Sequence, residues 1–155
     1  MHELVDKMKQ YIFPAISTYY KEPMVVTKGE GKYLYDDSGR QYLDFFGGIL
    51  TVSMGHCNPE ISERVAAQVK TLQHTSTVYV IKPMVELAEQ IAAIAPGKLQ
   101  KCFFLNSGTE ADETAVLLST IATGNDEIVA LRHAYSGRSA LAMSLTAHAP
   151  WRQGR

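Results

Sequence analysis

The chain has 155 residues, hydrophobic residues at 46% of its positions and a formal net charge of −1 at neutral pH. This length fits one domain of ordinary size or a piece of a larger one, and the apolar content is sufficient for a core. The balanced charge, without a basic block, argues against nucleic acid or an anionic membrane as a partner.

The amino terminus has no secretory or transit-peptide pattern. Residues 1–7 place charged side chains on both sides of a two-residue apolar pair. No apolar run approaches the roughly 20 residues of a membrane span. The sequence therefore predicts a cytoplasmic protein.

The first half of the chain predicts a short helix followed by a small antiparallel β element. Pro14 ends the helix pattern, and residues 36–39 have the composition of a hairpin turn. A second helix begins at Asn58 and Pro59, a good N-cap followed by a proline at the first helical position. The predicted helix covers residues 3–12, and the strands cover 24–27, 33–35 and 42–45. We assign residues 1–75 to one N-terminal segment.

The second half predicts the beginning of a mostly parallel sheet with helices. A helix starts near Pro83 and ends at Pro96 and Gly97. The continuous apolar run at 102–105 is typical of a strand covered on both faces, and the second, largely apolar run at 127–131 is predicted as another buried strand. A helix over 109–123 separates them, which makes one βαβ unit. We expect residues 76–155 to be the incomplete beginning of a larger domain.

Cysteine and histidine usage predicts neither a disulfide nor a metal site. Cys57 and Cys102 stand alone, as reduced thiols of a cytosolic protein usually do. His56 and His74 lie in loops, and neither has another histidine or a carboxylate at metal-ligand spacing. We expect both histidines to be structural.

Ser107, Gly108 and Thr109 form the turn between the first apolar run and its helix. A helix start presents unpaired N–H groups at the positive end of the helix dipole, where phosphate binds. Gly108 lets an anion approach the backbone, and the two flanking hydroxyls are further donors. Ser107 and Glu110 also form a capping box, which alone would explain these residues. Both interpretations use the same N–H groups and stay open.

Tyr135 follows the second apolar run, and ligands of parallel sheets gather at the carboxyl ends of strands. An aromatic ring beside an anion site could stack on a planar cofactor. The alternative is a partly buried loop tyrosine without a ligand.

Taken together, these segments resemble the class III aminotransferases, which use pyridoxal 5′-phosphate. The likeness runs from about residue 20 to the end of the chain, with the motifs in the family's order. Within the family, residues 47–56 and 74–77 are most similar to alanine–glyoxylate aminotransferases of the second type. The segments that carry the resemblance are 33–36, 42–46, 55–59, 74–76, 106–111 and 135–138.

The resemblance implies roles for individual residues. Ser107, Gly108 and Thr109 would hold the cofactor phosphate, Tyr135 would stack on the pyridine ring, and residues 48–51 would lie near the substrate mouth. Two positions depart from the family, which usually has asparagine and histidine where this chain has Asp112 and Ser136. Both departures bear on cofactor affinity more than on fold.

The resemblance further implies the α/β fold of the fold-type I pyridoxal-phosphate enzymes and a homodimer for the full-length family member. The implied reaction transfers an amino group from an alanine-like donor to a 2-oxo acid such as glyoxylate or pyruvate. Ornithine-type or 4-aminobutyrate-type specificity is the alternative within the family. A non-catalytic module that binds a phosphate ligand or a partner is the alternative outside it.

Transamination in this family needs a lysine that forms a Schiff base with the cofactor and a carboxylate paired with the pyridine nitrogen. None of the nine lysines stands in a motif that resembles the family's lysine site. We therefore expect a truncated chain that is inactive alone, and we predict no catalytic residue within it.

Overall fold

The computed structural model describes residues 2–16 and 18–147. The chain divides into two compact units between Ser76 and Thr77.

The first unit begins with helix α1 (Glu3–Tyr11), followed by three strands. The His2 side chain accepts a hydrogen bond from the Leu4 N–H and caps the helix. Strands β1 (Val26–Glu30), β2 (Tyr33–Asp36) and β3 (Gln41–Leu43) form an antiparallel sheet in the order β1-β2-β3. The predicted β element is confirmed, although its first strand starts two residues later than expected.

Asp36 organises the turn between β2 and β3. Its Oδ1 accepts hydrogen bonds from the backbone N–H groups of Ser38 at 3.0 Å and Arg40 at 2.9 Å. Gly39 has a φ of +84°, a conformation that glycine adopts without steric cost. The turn predicted from composition is therefore built by a carboxylate that bonds its own backbone, as in an Asx-turn.

Two helices complete the first unit. The short element α2 (Gly47–Leu50) is irregular, because Gly48 and Ile49 have left-handed rather than helical angles. Helix α3 (Pro59–Thr71) is regular, and Asn58 Oδ1 accepts a hydrogen bond from Glu60 N–H at 3.0 Å. The predicted N-cap is confirmed.

Over residues 77–147, the second unit contains three helices: α4 (Lys82–Ile94), α5 (Gly108–Thr123) and α6 (Ala140–Leu145). Helix α5 ends at Gly124, whose φ of +71° places it in the left-handed region favoured at this position. The helices predicted from Pro83 and over 109–123 are confirmed. Helix α6 was not predicted, since its six residues are too few for helical periodicity to show.

The strands predicted at 102–105 and 127–131 are wrong for this structure. Neither segment is assigned as a strand, and Val129 and Leu131 are 98% and 80% exposed. A β-strand needs a hydrogen-bonded neighbour, and within residues 2–16 and 18–147 neither segment has a ladder partner. Both segments are largely apolar, but apolar composition alone does not give a segment a neighbouring strand to pair with.

Few apolar side chains are covered. Among the described residues, Val5 and Ala142 are the only buried hydrophobic side chains. On α3, the apolar stripe that includes Ile61, Val65 and Val69 is about half exposed. Large exposed apolar patches usually mark surfaces that contact other protein. None of the described helices is both long and apolar enough to cross a membrane.

Candidate functional site

The start of α5 is capped from both directions. Ser107 Oγ accepts a hydrogen bond from Glu110 N–H at 3.2 Å, and Glu110 Oε2 accepts one from Asn106 N–H at 2.9 Å. The Ser107 backbone is extended, as expected for a residue that precedes the first helical turn. The capping box predicted from sequence is therefore formed, with the glutamate reaching one residue further back than usual.

Capping leaves part of the helix start available. Ala111 N–H is bonded to Ser107 O at 3.0 Å, so the helix hydrogen bonds begin there. Within the described part of the chain, the N–H groups of Ser107, Gly108 and Thr109 have no acceptor. No atom lies within 4 Å of a Cβ built on Gly108. The turn thus combines three free donors, an open approach and the positive end of a 16-residue helix.

The loop of residues 134–138, here called the aromatic loop, touches this turn. Thr109 Oγ1 accepts a hydrogen bond from Arg138 N–H at 3.4 Å. A Cβ built on Gly137 would lie 2.3 Å from the same oxygen, and the φ of Gly137 is +127°. A glycine is required here by both the backbone conformation and the close approach. Residues that are 29 positions apart in sequence are therefore brought together.

Tyr135 remains accessible within this loop. Its side chain is 53% exposed, and its hydroxyl accepts a hydrogen bond from Arg138 Nε at 3.4 Å. The two residues that depart from the family pattern, Asp112 and Ser136, lie in α5 and in the aromatic loop. Asp112 is exposed in the second turn of α5, and Ser136 is half-buried in the aromatic loop.

Thr146, which follows α6, was not singled out by the sequence. Its side chain is fully buried, and its Oγ1 accepts a hydrogen bond from Ser136 N–H at 3.0 Å. No motif signalled this contact, because a single threonine after a short helix has no recognisable spacing to the loop it holds.

In the first unit, His56 is paired with a carboxylate that sequence reasoning missed. His56 Nε2 lies 2.7 Å from Asp44 Oδ2, and both side chains are largely buried. Asp44 Oδ1 also accepts hydrogen bonds from Phe46 N–H and Gly47 N–H. The Gly47 N–H, followed by the His56 side chain and then the Phe46 N–H, holds the pKa of Asp44 below its usual value.

The Asp44–His56 pair joins the two ends of the segment that contains residues 48–51. His56 and Gly31 exchange two backbone hydrogen bonds, which join the end of the segment to the β1–β2 turn. The cleft beside it is lined by both members of the pair together with Phe46, Leu50 and Val52. The prediction that His56 is structural agrees with these contacts, and its partner lies 12 residues earlier in sequence.

The motifs of this chain match those of one known protein family. The profile described as "Aminotransferase class-III" matches residues 16–154. This chain belongs to the class-III aminotransferases. The match covers both units and includes the serine–glycine–threonine turn and the aromatic loop. Pyridoxal 5′-phosphate is the cofactor of this aminotransferase family.

Curated relatives of this class-III aminotransferase chain include enzymes with two different names. The chain is 39% identical over 149 residues to alanine–glyoxylate aminotransferase 2 homolog 2, mitochondrial, from Arabidopsis thaliana, covering 96% of this chain and 31% of that protein. It is 40% identical over 142 residues to acetylornithine aminotransferase from Archaeoglobus fulgidus, covering 92% of this chain and 36% of the relative. The chain thus spans about a third of the length of these relatives.

Solved structures show the same fold. A phospholyase from Arthrobacter in complex with phosphoethanolamine matches with a TM-score of 0.85 and 29% identity, over 94% of this chain and 34% of that one. The omega transaminase from Pseudomonas jessenii in complex with PMP matches with a TM-score of 0.83 and 28% identity, over 99% and 36%. The predicted fold class, the N-terminal portion of a fold-type I enzyme, is confirmed.

Proposed function

We propose that the second unit of this chain holds pyridoxal 5′-phosphate for transamination. Ser107, Gly108 and Thr109 bind the phosphate through their backbone N–H groups and two hydroxyls. Tyr135 stacks on the pyridine ring. The bound cofactor supplies the electron sink that amino-group transfer requires, and these residues bind and orient it.

The observation that carries this proposal is the double role of Thr109. Its N–H belongs to the free donors of the helix start, and its Oγ1 accepts the Arg138 N–H at 3.4 Å. One residue thus links the anion-binding end of α5 to the loop that bears Tyr135. A plain helix cap needs no such link, whereas a ligand with a phosphate and a ring needs both parts at one place.

The residues present fit the phosphate of this cofactor. The three free N–H groups are complementary to phosphate oxygens, and the Gly108 Cα leaves the backbone open to them. Asp112 opposes binding, because a carboxylate near the helix start repels the phosphate. Its side chain is exposed, so solvent and salt screen this repulsion.

For the reaction, we propose an alanine-like amino donor and glyoxylate or pyruvate as the 2-oxo acid acceptor. The name of the Arabidopsis relative supports this choice. The acetylornithine aminotransferase from Archaeoglobus fulgidus, at similar identity, supports an ornithine-type donor as the second candidate. The two relatives therefore support both donors, and a substrate assay distinguishes them.

Three further statements about the protein are proposals. Residues 1–75 serve as an N-terminal segment, and residues 76–155 begin the cofactor domain. The family member that contains this sequence forms a homodimer, which the exposed apolar stripe on α3 supports. We propose a cytoplasmic location, and the name of the Arabidopsis relative, which includes the word mitochondrial, makes a mitochondrial location the alternative.

Ligand binding to the purified 155-residue chain tests the proposed site. Pyridoxamine 5′-phosphate is the suitable probe, because it lacks the aldehyde that would react with surface lysines. Equilibrium dialysis with this probe and with inorganic phosphate gives two dissociation constants. We expect pyridoxamine 5′-phosphate to bind more tightly than inorganic phosphate. We also expect inorganic phosphate to displace it, since both ligands use the same N–H groups. Equal affinities would contradict the ring contact, and binding of neither would contradict the site.

A further inference from the structure

We propose that Thr146 is a positioning residue that fixes the ring of Tyr135 over the cofactor. This inference rests on the proposed cofactor site and adds to it a residue that has no contact with the ligand. The threonine acts through the aromatic loop, which it holds at Ser136, whereas Thr109 holds the loop at Arg138.

The Thr146 hydroxyl both donates and accepts a hydrogen bond. It donates its one proton to Ala142 O at 2.9 Å, within the last turn of α6. Its lone pairs then face the Ser136 N–H, which donates to Oγ1 at 3.0 Å. The side chain has no exposed surface, so water does not compete for either bond. A buried hydroxyl with both functions satisfied has one orientation, and it imposes that orientation on its partner.

The aromatic loop is held on both sides of Tyr135. Before the tyrosine, Ala134 O accepts a hydrogen bond from Ala147 N–H at 3.0 Å. After it, Ser136 N–H is bonded to Thr146. The two bonds fasten the residues that flank Tyr135 to two consecutive residues, so the Tyr135 backbone has little freedom to rotate.

Helix α6 provides the fixed base for these bonds. Ser139 Oγ accepts a hydrogen bond from Ala142 N–H at 3.2 Å and caps the helix directly after the aromatic loop. Ala142 is fully buried, and α6 packs against α5. The aromatic loop is therefore connected to α5 in two ways. Its Arg138 N–H bonds to Thr109 of α5, and its Ser136 N–H bonds to Thr146, which follows the helix α6 that packs against α5.

This arrangement separates the two parts of ligand binding. The phosphate donors are the N-cap and first two residues of α5, and none of them is bonded to Thr146. The ring contact depends on where the aromatic loop places Tyr135. Removal of the Thr146 hydroxyl leaves the half-buried Ser136 N–H without its acceptor, and the loop must move to satisfy it.

The test compares Thr146→Val, which keeps the shape and removes the hydroxyl, with Thr146→Ser, which keeps the hydroxyl. The probes are pyridoxamine 5′-phosphate and inorganic phosphate, measured on the full 155-residue chain. Thr146→Val should weaken binding of the first about five- to tenfold and leave phosphate binding within about twofold of wild type. Thr146→Ser should bind both ligands as wild type does.

A second readout reports the ring itself. The induced circular dichroism of saturating pyridoxamine 5′-phosphate should fall in Thr146→Val and return in Thr146→Ser. A purely structural role would weaken both ligands together and would leave the signal of the bound ring unchanged at saturation. That result, or an unchanged ratio of the two affinities, would overturn the proposal.

Hydrogen exchange on the wild-type chain keeps the proposal testable if Thr146→Val does not fold. The Ser136 amide should exchange slowly, and the Gly108 amide, which has no acceptor among residues 2–16 and 18–147, should exchange fast. Fast exchange at Ser136 would refute the bond on which the inference depends. If the wild-type chain binds neither ligand, the proposed function fails and this inference fails with it, whereas an altered ratio is informative about Thr146 alone.

Discussion

Gly137 approaches Thr109 so closely that a Cβ built on the glycine would lie 2.3 Å from the threonine Oγ1. This distance is shorter than any van der Waals contact, so the loop and the turn fit only without a side chain at this position. The contact joins the proposed phosphate site to the loop that bears Tyr135. Changes at this contact therefore test whether the two parts act as one site.

Gly137→Ala should separate the aromatic loop from the turn. The new methyl group collides with Thr109, and the φ of +127° is unfavourable for alanine, so we expect a loss of about 1–3 kcal/mol in unfolding free energy. Pyridoxamine 5′-phosphate should also bind more weakly by dialysis. Gly124→Ala is the matched control, since Gly124 has a positive φ of +71° and no atom within 4 Å of its built Cβ. The control should cost about 1 kcal/mol and leave binding unchanged. Equal binding losses in both variants would contradict the account.

Tyr135→Leu should remove the ring contact and keep the phosphate contact. Stacking of aromatic rings contributes about 0.5–1.5 kcal/mol, so affinity for pyridoxamine 5′-phosphate should fall up to about tenfold. Inorganic phosphate should bind as in wild type. Tyr135→Phe keeps the ring and loses only the hydroxyl that accepts from Arg138 Nε, so its affinity should stay near wild type. If Tyr135→Leu also bound inorganic phosphate more weakly, Tyr135 would be stabilising the phosphate-binding turn rather than contacting the cofactor ring.

Asp36 predicts a pH dependence for the first unit. Hydrogen bonds from the Ser38 side chain, and next from Tyr42, lower the pKa of Asp36 to about 2. In the unfolded chain this pKa is about 3.9, so the folded state favours the charged form. The stabilisation is present above pH of about 4 and is lost as the pH falls toward about 2. Asp36→Asn should remove this part of the acid dependence in denaturant unfolding series.

The control for this prediction is Asp126→Asn. Asp126 is exposed and accepts no hydrogen bond from any described residue, so the same charge is removed without the turn contacts. Carboxyl chemical shifts followed by NMR give the Asp36 pKa directly. A titration midpoint near the unfolded value would show that the Ser38 and Tyr42 bonds do not persist in solution.

The 155-residue chain should show no transamination by itself. None of its nine lysines lies in a motif that resembles the family's lysine site, and transamination needs a lysine that forms a Schiff base with the cofactor. The measurement is alanine-dependent loss of glyoxylate with pyridoxal 5′-phosphate added. Turnover above the rate of the free cofactor would show that a lysine of this chain serves in the reaction.

A chimera tests the same part of the protein in an active setting. Residues 16–147 would replace the matching segment of the Arabidopsis relative, to which the chain is 39% identical. We expect alanine–glyoxylate activity, and a parallel assay with acetylornithine distinguishes the second candidate. A folded chimera that binds no cofactor would contradict the roles proposed for Ser107, Gly108 and Thr109.

Sequence patterns predicted local features of this chain well. The caps at Asn58 and Ser107 and the turn at Asp36 are all present, because each depends on residues within about four positions. The segments 102–105 and 127–131 were predicted as strands and are not. A strand is defined by a partner, and local composition carries no information about whether one is supplied.

Contacts between distant residues were also beyond the sequence. Thr109 meets Arg138, His56 meets Asp44, and Thr146 meets Ser136, at separations of 29, 12 and 10 residues. The family resemblance predicted that the turn and Tyr135 belong to one site. It gave no indication that Gly137 and Thr146 set the distance between them, since glycine and threonine have no distinctive spacing here.

The central claim is that the turn before α5 binds phosphate as well as capping the helix, and Ser107→Asp tests it most directly. Aspartate is as good an N-cap as serine, so its carboxylate should still accept the Glu110 N–H. It cannot replace the 3.4 Å hydrogen bond that Ser107 Oγ donates to Glu110 Oε2, and the two carboxylates repel each other, so we expect a loss of about 1 kcal/mol in unfolding free energy. The same carboxylate repels a phosphate group, so affinity for pyridoxamine 5′-phosphate should fall at least about tenfold. Ser107→Ala is the control that removes the cap without adding charge. If Ser107→Asp is stable and binds the probe as tightly as wild type, the turn is only a helix cap and the proposed site is wrong.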